Sequence, residues 1–379
     1  MTVYPTLRFG VIGIDHRHAY DLVASLLRAG AECAGFYSPT EPQTLAGFVE
    51  RFPDIARVDD ARRLLEDDSI QLIVSAAVPD TRAEIGIAAM RHGKDFMSDK
   101  PGVTAPDQLA RLRTVQRETG RIYSVTFTER FEVRAVTRAT ELIRAGAIGR
   151  VVQTVGLGPH RLNRHLRDAW FFDRQRYGGI LCDIASHQID QFLHFTQATD
   201  ARVVAARCGN MAHPADPGLQ DFGELMLAHD TASAYIRVDW FTPDGLATWG
   251  DGRLTILGTE GYIELRKYID IAGRPGRDHL FLVNGEDTRY IDCSDAPLPY
   301  YPNLIRDIFE RTETAMSQAH CFKVCELALA AQALGEATGV GTARFDRADG
   351  GGDAGELPEG GDDGHCETVA AAGVTGCRR

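Results

Sequence analysis

Asp99-Lys100-Pro101 closes an apolar run, Phe96-Met97-Ser98, with a carboxylate, an amine and a rigid ring. An amine at the end of a strand in an open α/β sheet faces the crevice where such sheets bind ligands, and a lysine there can give or take a proton. Pro101 bars the strand from continuing and sets where the chain turns. A second chemical segment opens at Gly178-Gly179, whose missing side chains let another backbone or a ligand come close. Behind it, Asp183, His187, Asp190 and His194 fall at i, i+4, i+7 and i+11, one polar stripe of a helix whose other face is Leu181, Ala185, Ile189 and Phe192. A neutral imidazole at His187 can take a proton from a substrate hydroxyl while a neighbouring carboxylate, Asp183, orients it. Asp190 and His194 read as solvent-facing or structural.

Gly158-Pro159-His160-Arg161-Leu162-Asn163-Arg164-His165 is either a solvated basic loop or one wall of a substrate site, with His160, Arg161 and His165 as hydrogen-bonding residues. His-x4-His is a loose ligand spacing, so no metal is expected with Asp183 and His187. Arg130, just past the last strand of the first half, can reach the same cleft. Near the N-terminus, Gly10-Val11-Ile12-Gly13-Ile14-Asp15-His16-Arg17-His18 stands where a dinucleotide-binding G-x-G-x-x-G belongs, with one of its three glycines in place. Asp15 would crowd and repel a pyrophosphate, and Arg17 or His18 would offset that charge. The other reading is a plain strand-to-helix turn capped by Asp15. Ser38 takes the position of the ribose-binding acid, which removes the repulsion against a 2′-phosphate without supplying an arginine, so NAD and NADP both stay open. Pro79-Asp80-Thr81-Arg82 ends another apolar strand at the ligand edge, with Asp80 as cofactor contact or as a helix cap.

These residues need a scaffold, and its rhythm is legible. From Arg8 to about Ser124, short apolar runs alternate with amphipathic segments, the pattern of βαβ units on a doubly wound parallel sheet. Beyond Phe127 the texture changes to helices from Ala135 to Arg144 and from Leu181 to Phe195, with strands at 151–157, 203–208, 223–227, 232–239, 253–257 and 261–268. These predict an α+β domain with a large, mostly antiparallel sheet, closed by a helical region from Asn303 to Ala337. The predicted division is 5–124, 125–345, and a glycine- and acid-rich tail, 346–379, with the composition of a disordered segment.

A length of 379 residues suits two domains, and a net charge of −12 disfavours nucleic-acid binding, which needs a basic face. No apolar run is long enough to span a bilayer, and strand-like sequence begins almost at once, so a cytoplasmic location is expected. The eight cysteines form no C-x-x-C pair and read as reduced core thiols, Cys321 and Cys325 included.

Lys100, Asp183 and His187 in this order, with Asp99-Lys100-Pro101 in place of Glu-Lys-Pro and Gly178-Gly179 before the helix, give a chain that resembles the Gfo/Idh/MocA family, which includes glucose-fructose oxidoreductase and inositol dehydrogenase. Ile256-Leu257-Gly258-Thr259-Glu260-Gly261-Tyr262-Ile263-Glu264 adds the family's Gly-Thr-x-Gly strand entry. The resemblance covers residues 6 to 344. It implies a Rossmann domain, a C-terminal α/β domain whose sheet mediates homo-oligomers, and NAD or NADP held between them. It also implies a carbohydrate or polyol substrate, with Lys100 and His187 handling the proton and Asp183 assisting. Cofactor-binding positions carried over are Gly10, Gly13, Ile14, Asp15, His16, Arg17, Ser38, Pro79, Asp80, Arg82, Asp99 and Lys100. Substrate-binding positions are Arg130, His160, Arg161, His165, Asp183 and His187. The glycine loop, Ser38 and Pro79-Asp80-Thr81-Arg82 depart from the family pattern, and all three touch the cofactor side. Elimination, epimerisation or glycoside cleavage on the same triplet, with a tightly bound nicotinamide or a metal in the His160, His165 and His187 region, or a non-catalytic ligand-binding relative, are the alternatives.

Overall fold

The computed structural model describes residues 4 to 338. The predicted tail, 346–379, and the last residues of the second predicted domain lie outside the described residues. The first half builds β1 (Arg8–Ile12), α1 (His18–Arg28), β2 (Glu32–Tyr37), α2 (Thr44–Arg51), α3 (Arg62–Leu65), β3 (Leu72–Ser75), α4 (Arg82–Arg91), β4 (Asp95–Asp99), α5 (Pro106–Thr119) and β5 (Tyr123–Thr126). Every strand pairing is parallel, in the order β2-β1-β3-β4-β5. Each residue of β3, β4 and β5 is buried, as a sheet covered on both faces requires. Pro106 starts α5, and Gly120, at φ 62°, ends it.

Because β1 sits between β2 and β3, the chain leaves β1 toward one side and β3 toward the other. The crevice this opens at the carboxyl ends is lined by the loops after β1, β3 and β4. Gly13 is built for that place. Its φ is +82°, and a Cβ there would lie 2.3 Å from the Cβ of Ala77, at the end of β3.

The second half continues through α6 (Thr128–Phe131), α7 (Arg134–Arg144), β6 (Val151–Pro159), α8 (Arg174–Tyr177), α9 (Ile180–Asp183) and α10 (Ala185–Thr196). Strands β7 (Arg202–Gly209), β8 (Phe222–His229), β9 (Ala232–Asp239), β10 (Arg253–Gly258), β11 (Gly261–Arg266), β12 (His279–Asn284) and β13 (Thr288–Asp292) follow, then α11 (Tyr300–Glu310) and α12 (Gln318–Thr338). The sheet runs β13-β12-β11-β10-β6-β9-β8-β7, antiparallel except where β6 meets β9. The chain between that parallel pair runs through α8, α9, α10, β7 and β8, the long connection that parallel neighbours need.

Three expectations change. The helix predicted from Leu181 to Phe195 is two pieces divided at Ile184. The closing helical region is α11 and α12 with a loop between them. Strands β12 and β13 were not predicted at all; β13 is a mostly exposed edge strand with little apolar pattern.

One continuous buried core includes Leu7, Phe96, Tyr123, Phe192, Ile236 and Ala331, spanning the first sheet, α10, β9 and α12. A second, smaller core joins α7 to β10, β11 and β12 through Val136, Ala139, Ile256, Ile263 and Leu282. Replacing Gly13 by Ala puts a side chain both into the left-handed region and against Ala77. The substitution is expected to cost about 2 kcal/mol or more, read as a lower denaturant midpoint.

Candidate active site

The site starts at Asp99, the last residue of β4, whose side chain is fully buried. Its carboxylate accepts from Arg82 Nη2 at 3.2 Å and faces the Nδ1 atoms of His16 at 3.2 Å and His18 at 2.8 Å. Burial works to raise the Asp99 pKa, but His18, Arg82 and His16 outweigh it and hold the carboxyl well below the usual range. His16 is pushed down to about 3 by burial and by His18 beside it. Among the described residues, His16, His18 and Asp99 are the one group of three or more ligand-type side chains with ligand atoms all within 4.8 Å of one another. The Arg82 guanidinium on the same carboxylate gives the cluster a hydrogen-bonding explanation.

Arg82 corrects an expectation. Rather than facing a cofactor, it is fully buried and donates to four backbone carbonyls: Ala77 at 2.7 Å, Lys100 at 2.6 Å, and Asp99 and Pro101 at 3.0 Å each. It therefore ties the end of β3 to the cis Lys100–Pro101 turn and fixes where the Lys100 side chain leaves the backbone.

Lys100 Nζ donates to Asp183 Oδ1 at 2.7 Å, both groups buried. Burial favours the neutral acid at Asp183, and the Lys100 ammonium reverses that and lowers its pKa. Asp183 therefore serves Lys100, not His187 as the helix stripe suggested. His187 is buried on α10, and its Nδ1 has no hydrogen-bond partner. Burial, and after it the charges of Lys100, His160 and His18, push its pKa down to about 3 against the opposing pull of Glu129. His160 is held to about 4, chiefly by burial; its Nδ1 lies 3.0 Å from the Gly158 carbonyl and its ring packs against Trp240 and Trp249.

One residue of this neighbourhood, Glu129, escaped the sequence, while Arg167 stands just beyond the basic loop already singled out there. Glu129, on α6, is buried with Oε2 accepting from Lys267 Nζ at 2.5 Å and Gln188 Nε2 at 2.9 Å. Burial would raise it, but Lys267 and then His187 and His160 bring it down to about 2. Its place just past the carboxyl end of β5 was the available signal. Arg167 lies over the rings of Phe171 at 4.4 Å and Trp240 at 5.2 Å, and burial lowers it to about 10 despite the charge of Asp183.

Other expected residues lie elsewhere. Arg130 does not reach the cleft; it clasps Asp190 with two 2.6 Å bonds, joined by His320 Nε2 at 2.8 Å. Asp190 is accordingly buried, not solvent-facing, and His194 is tied to Thr140 at 2.8 Å. Arg161 is held by the carbonyls of Pro243 and Leu246, and His165 is exposed on a single helical turn. Gly10 lies inside β1 and Ile14 is core.

On the crevice side, Asp15 faces Thr40 Oγ1 at 3.3 Å and caps no helix; burial raises its pKa. Arg17 is exposed, while Pro79 and Asp80 form a 3₁₀ turn with Asp80 beside Arg176 rather than capping α4. Ser38 is buried and bonds the Thr40 carbonyl. An arginine does stand by Ser38, supplied from beyond α2: Arg57 Nη2 donates to the Ser38 carbonyl at 3.0 Å.

His16, His187 and His194 at about 3 and His160 at about 4 all lie below the ordinary imidazole value of 6.5. Between those limits the unfolded chain binds more protons than the folded one, so stability falls as pH falls through that window. Thermal melts taken from about pH 7 to about pH 5 should show a declining Tm, and His194→Gln should make the decline shallower. An unchanged slope would show that His194 is not held neutral.

Comparison with known proteins agrees with this architecture. Residues 7–127 match the model for the oxidoreductase family with an NAD-binding Rossmann fold, and residues 136–264 match the GFO/IDH/MocA C-terminal domain. A crystal structure from Erwinia carotovora atroseptica described as an oxidoreductase is 46% identical, with TM-score 0.84, covering 87% of this chain and 98% of that one. Inositol 2-dehydrogenase from Acidothermus cellulolyticus is 27% identical over 80% of this chain and 85% of its own length. Levoglucosan dehydrogenase, solved with NADH and levoglucosan, shares the fold at TM-score 0.73 and 18% identity, covering 88% and 98% of the two chains. Two further curated relatives are matched over only 52% and 39% of their own length. Among the described residues no helix is long and apolar enough to cross a membrane. A parallel Rossmann sheet, a large mostly antiparallel second sheet and these matches place the chain in the GFO/IDH/MocA family of NAD- or NADP-dependent oxidoreductases.

Proposed function

We propose that this enzyme moves a hydride between NAD or NADP and a hydroxyl-bearing carbon of a sugar, inositol or related polyol. The observation that carries the reading is the buried 2.7 Å Lys100–Asp183 pair, with His187 on the next helix beyond Asp183.

The crevice residues fit a dinucleotide. Gly13 lets the turn after β1 close tightly against Ala77 at the crevice, and Arg17, four residues on, supplies an exposed cation. Gly13, Asp15, Arg17, Ser38, Pro79 and Asp80 would hold it, with His16 and Asp99 behind them. When bound, the nicotinamide accepts or supplies the hydride. The chain's own residues handle everything else. Asp183 holds the Lys100 amine in one direction, so that it can give or take the hydroxyl proton. His187, neutral at physiological pH, offers a second proton acceptor. Trp240, Trp249, Arg167 and His160 form the aromatic and polar wall that a polyol needs for binding and orientation. Inositol and levoglucosan dehydrogenases among the relatives agree with that substrate class.

The outer face of the second sheet is our proposed subunit contact. Met226, Leu257 and Tyr262 are exposed there, on the side opposite Leu225, Ile256 and Ile263. The six described cysteines are unpaired and suit the reducing cytoplasm in which we place the protein.

Calorimetric titration with NAD(H) and NADP(H) tests the reading, and binding of neither would sink it. Lys100→Met is expected to lower turnover of a polyol at least about 100-fold while leaving cofactor affinity within a few-fold of wild type. Light scattering should report an oligomer that Met226→Glu weakens; a wild-type monomer would refute the proposed contact.

A further inference from the structure

Among the buried polar atoms near the proposed chemistry without a hydrogen-bond partner are Glu129 Oε1 and His187 Nδ1, with Gln188 Oε1 and Trp240 Nε1 beside them. The Glu129 and His187 side chains belong to one neighbourhood. Gln188, the residue after His187, bonds the Glu129 carboxylate at 2.9 Å, and Phe127, two residues before Glu129, meets the His187 ring edge-on with centroids 6.3 Å apart. Glu129 is also the strongest charge felt by His187. An unpaired carboxylate oxygen and an unpaired imidazole nitrogen, both shut away from water, are costly apart and satisfied together.

We infer that Glu129 is the residue that orients His187, its Oε1 accepting from Nδ1–H so that Nε2 keeps its lone pair free for a substrate hydroxyl. The inference rests on the proposed oxidoreductase reading for its chemical meaning; the unpartnered atoms and the contacts that bring their side chains into one neighbourhood are observed independently of it. The division of labour in the carboxylate follows from its neighbours. Lys267 and Gln188 both donate to Oε2, leaving Oε1 as the oxygen not already engaged. Asp183 cannot take the role while it holds Lys100. Each proton-handling residue would then have its own buried carboxylate, Asp183 for Lys100 and Glu129 for His187. Glu129 is a positioning residue, not one that touches substrate. When Nε2 takes the hydroxyl proton, Nδ1 keeps its own, and the ring's new positive charge faces a carboxylate already in place.

Glu129→Gln gives a sharp expectation. An ammonium only donates, so the amide oxygen must turn to Lys267 and the amide NH2 to His187. Nδ1 would then have to accept, and the proton would move to Nε2, removing the acceptor that faces the hydroxyl.

The test is long-range ¹H–¹⁵N NMR on full-length enzyme labelled at histidine, with His187 assigned through His187→Gln. Wild type should show Nδ1–H with unprotonated Nε2, and Glu129→Gln should show the reverse. A wild-type His187 protonated on Nε2 overturns the inference, as does an unchanged tautomer in the variant. Should Glu129→Gln fail to fold, the wild-type spectrum still decides. Titration of the same samples with NADH and NADPH keeps the outcomes apart. Binding of either cofactor with the wrong tautomer removes Glu129 alone, whereas binding of neither removes the oxidoreductase reading and leaves the tautomer result standing.

Discussion

The carboxylate of Asp99 is the interaction on which the ligand edge depends. It is fully buried, and three cationic or donor groups from three parts of the chain converge on it: His16 from the loop after β1, His18 from the start of α1, and Arg82 from the start of α4. A buried carboxylate is tolerated only when such partners hold it, and breaking one of them leaves a charge without compensation. Arg82 extends the hold from side chain to backbone, since its other donors collect the carbonyls of Ala77, Lys100 and Pro101. Loop, helix and strand end are thereby fixed to one another, and the Lys100 amine emerges from a frame with little freedom. Of the residues at the customary glycine positions after β1, His18 has a structural reason in this chain: with His16 it holds the Asp99 carboxylate.

Charge is distributed through the interior in matched pairs. Lys100 faces Asp183, Lys267 faces Glu129, and Arg130 with His320 faces Asp190, all with the acid below its usual pKa. His16, His160, His187 and His194 are pressed the other way, toward neutrality, by burial first and then by nearby cationic groups. Such a setting keeps imidazole available as a proton acceptor while lysine and arginine carry the positive charge. The Arg130 pair lies one turn along α10 from His187, which anchors that helix from its far side.

Much of this was legible in the order of residues. The alternation of apolar runs and amphipathic segments up to Ser124 determines a parallel sheet, and its carboxyl edge determines where Lys100 must sit. The stripe Asp183, His187, Asp190 and His194 was also legible, but a stripe shows which residues share a face and not which face is buried. From Ala185 to Leu193 α10 is buried all round, and that burial decides between the solvent-facing and structural readings of Asp190 in favour of the structural one. Glu129 was missed for a related reason. What makes it more than a stray carboxylate is Lys267, 138 residues later, and no local pattern links the two. Arg57 reaches Ser38 by the same kind of non-local route, through the segment that pairs with the end of β2.

Helix α12 carries a consequence for the order in which the molecule can be made. Phe322 stacks on Tyr123 of β5 at 5.4 Å, Gln318 Oε1 accepts from the Tyr123 amide, and Arg311, just beyond α11, clasps Asp95 at the start of β4. The chain's first sheet is thus finished by residues from its last described helices. During vectorial synthesis on a ribosome, the edge at β5 waits for about 200 further residues before its cover arrives, with apolar surface open to solvent in the meantime. The nucleotide-binding half is therefore a unit of topology but not of autonomous folding, and dissecting the protein at the boundary between the two sheets would expose an interior.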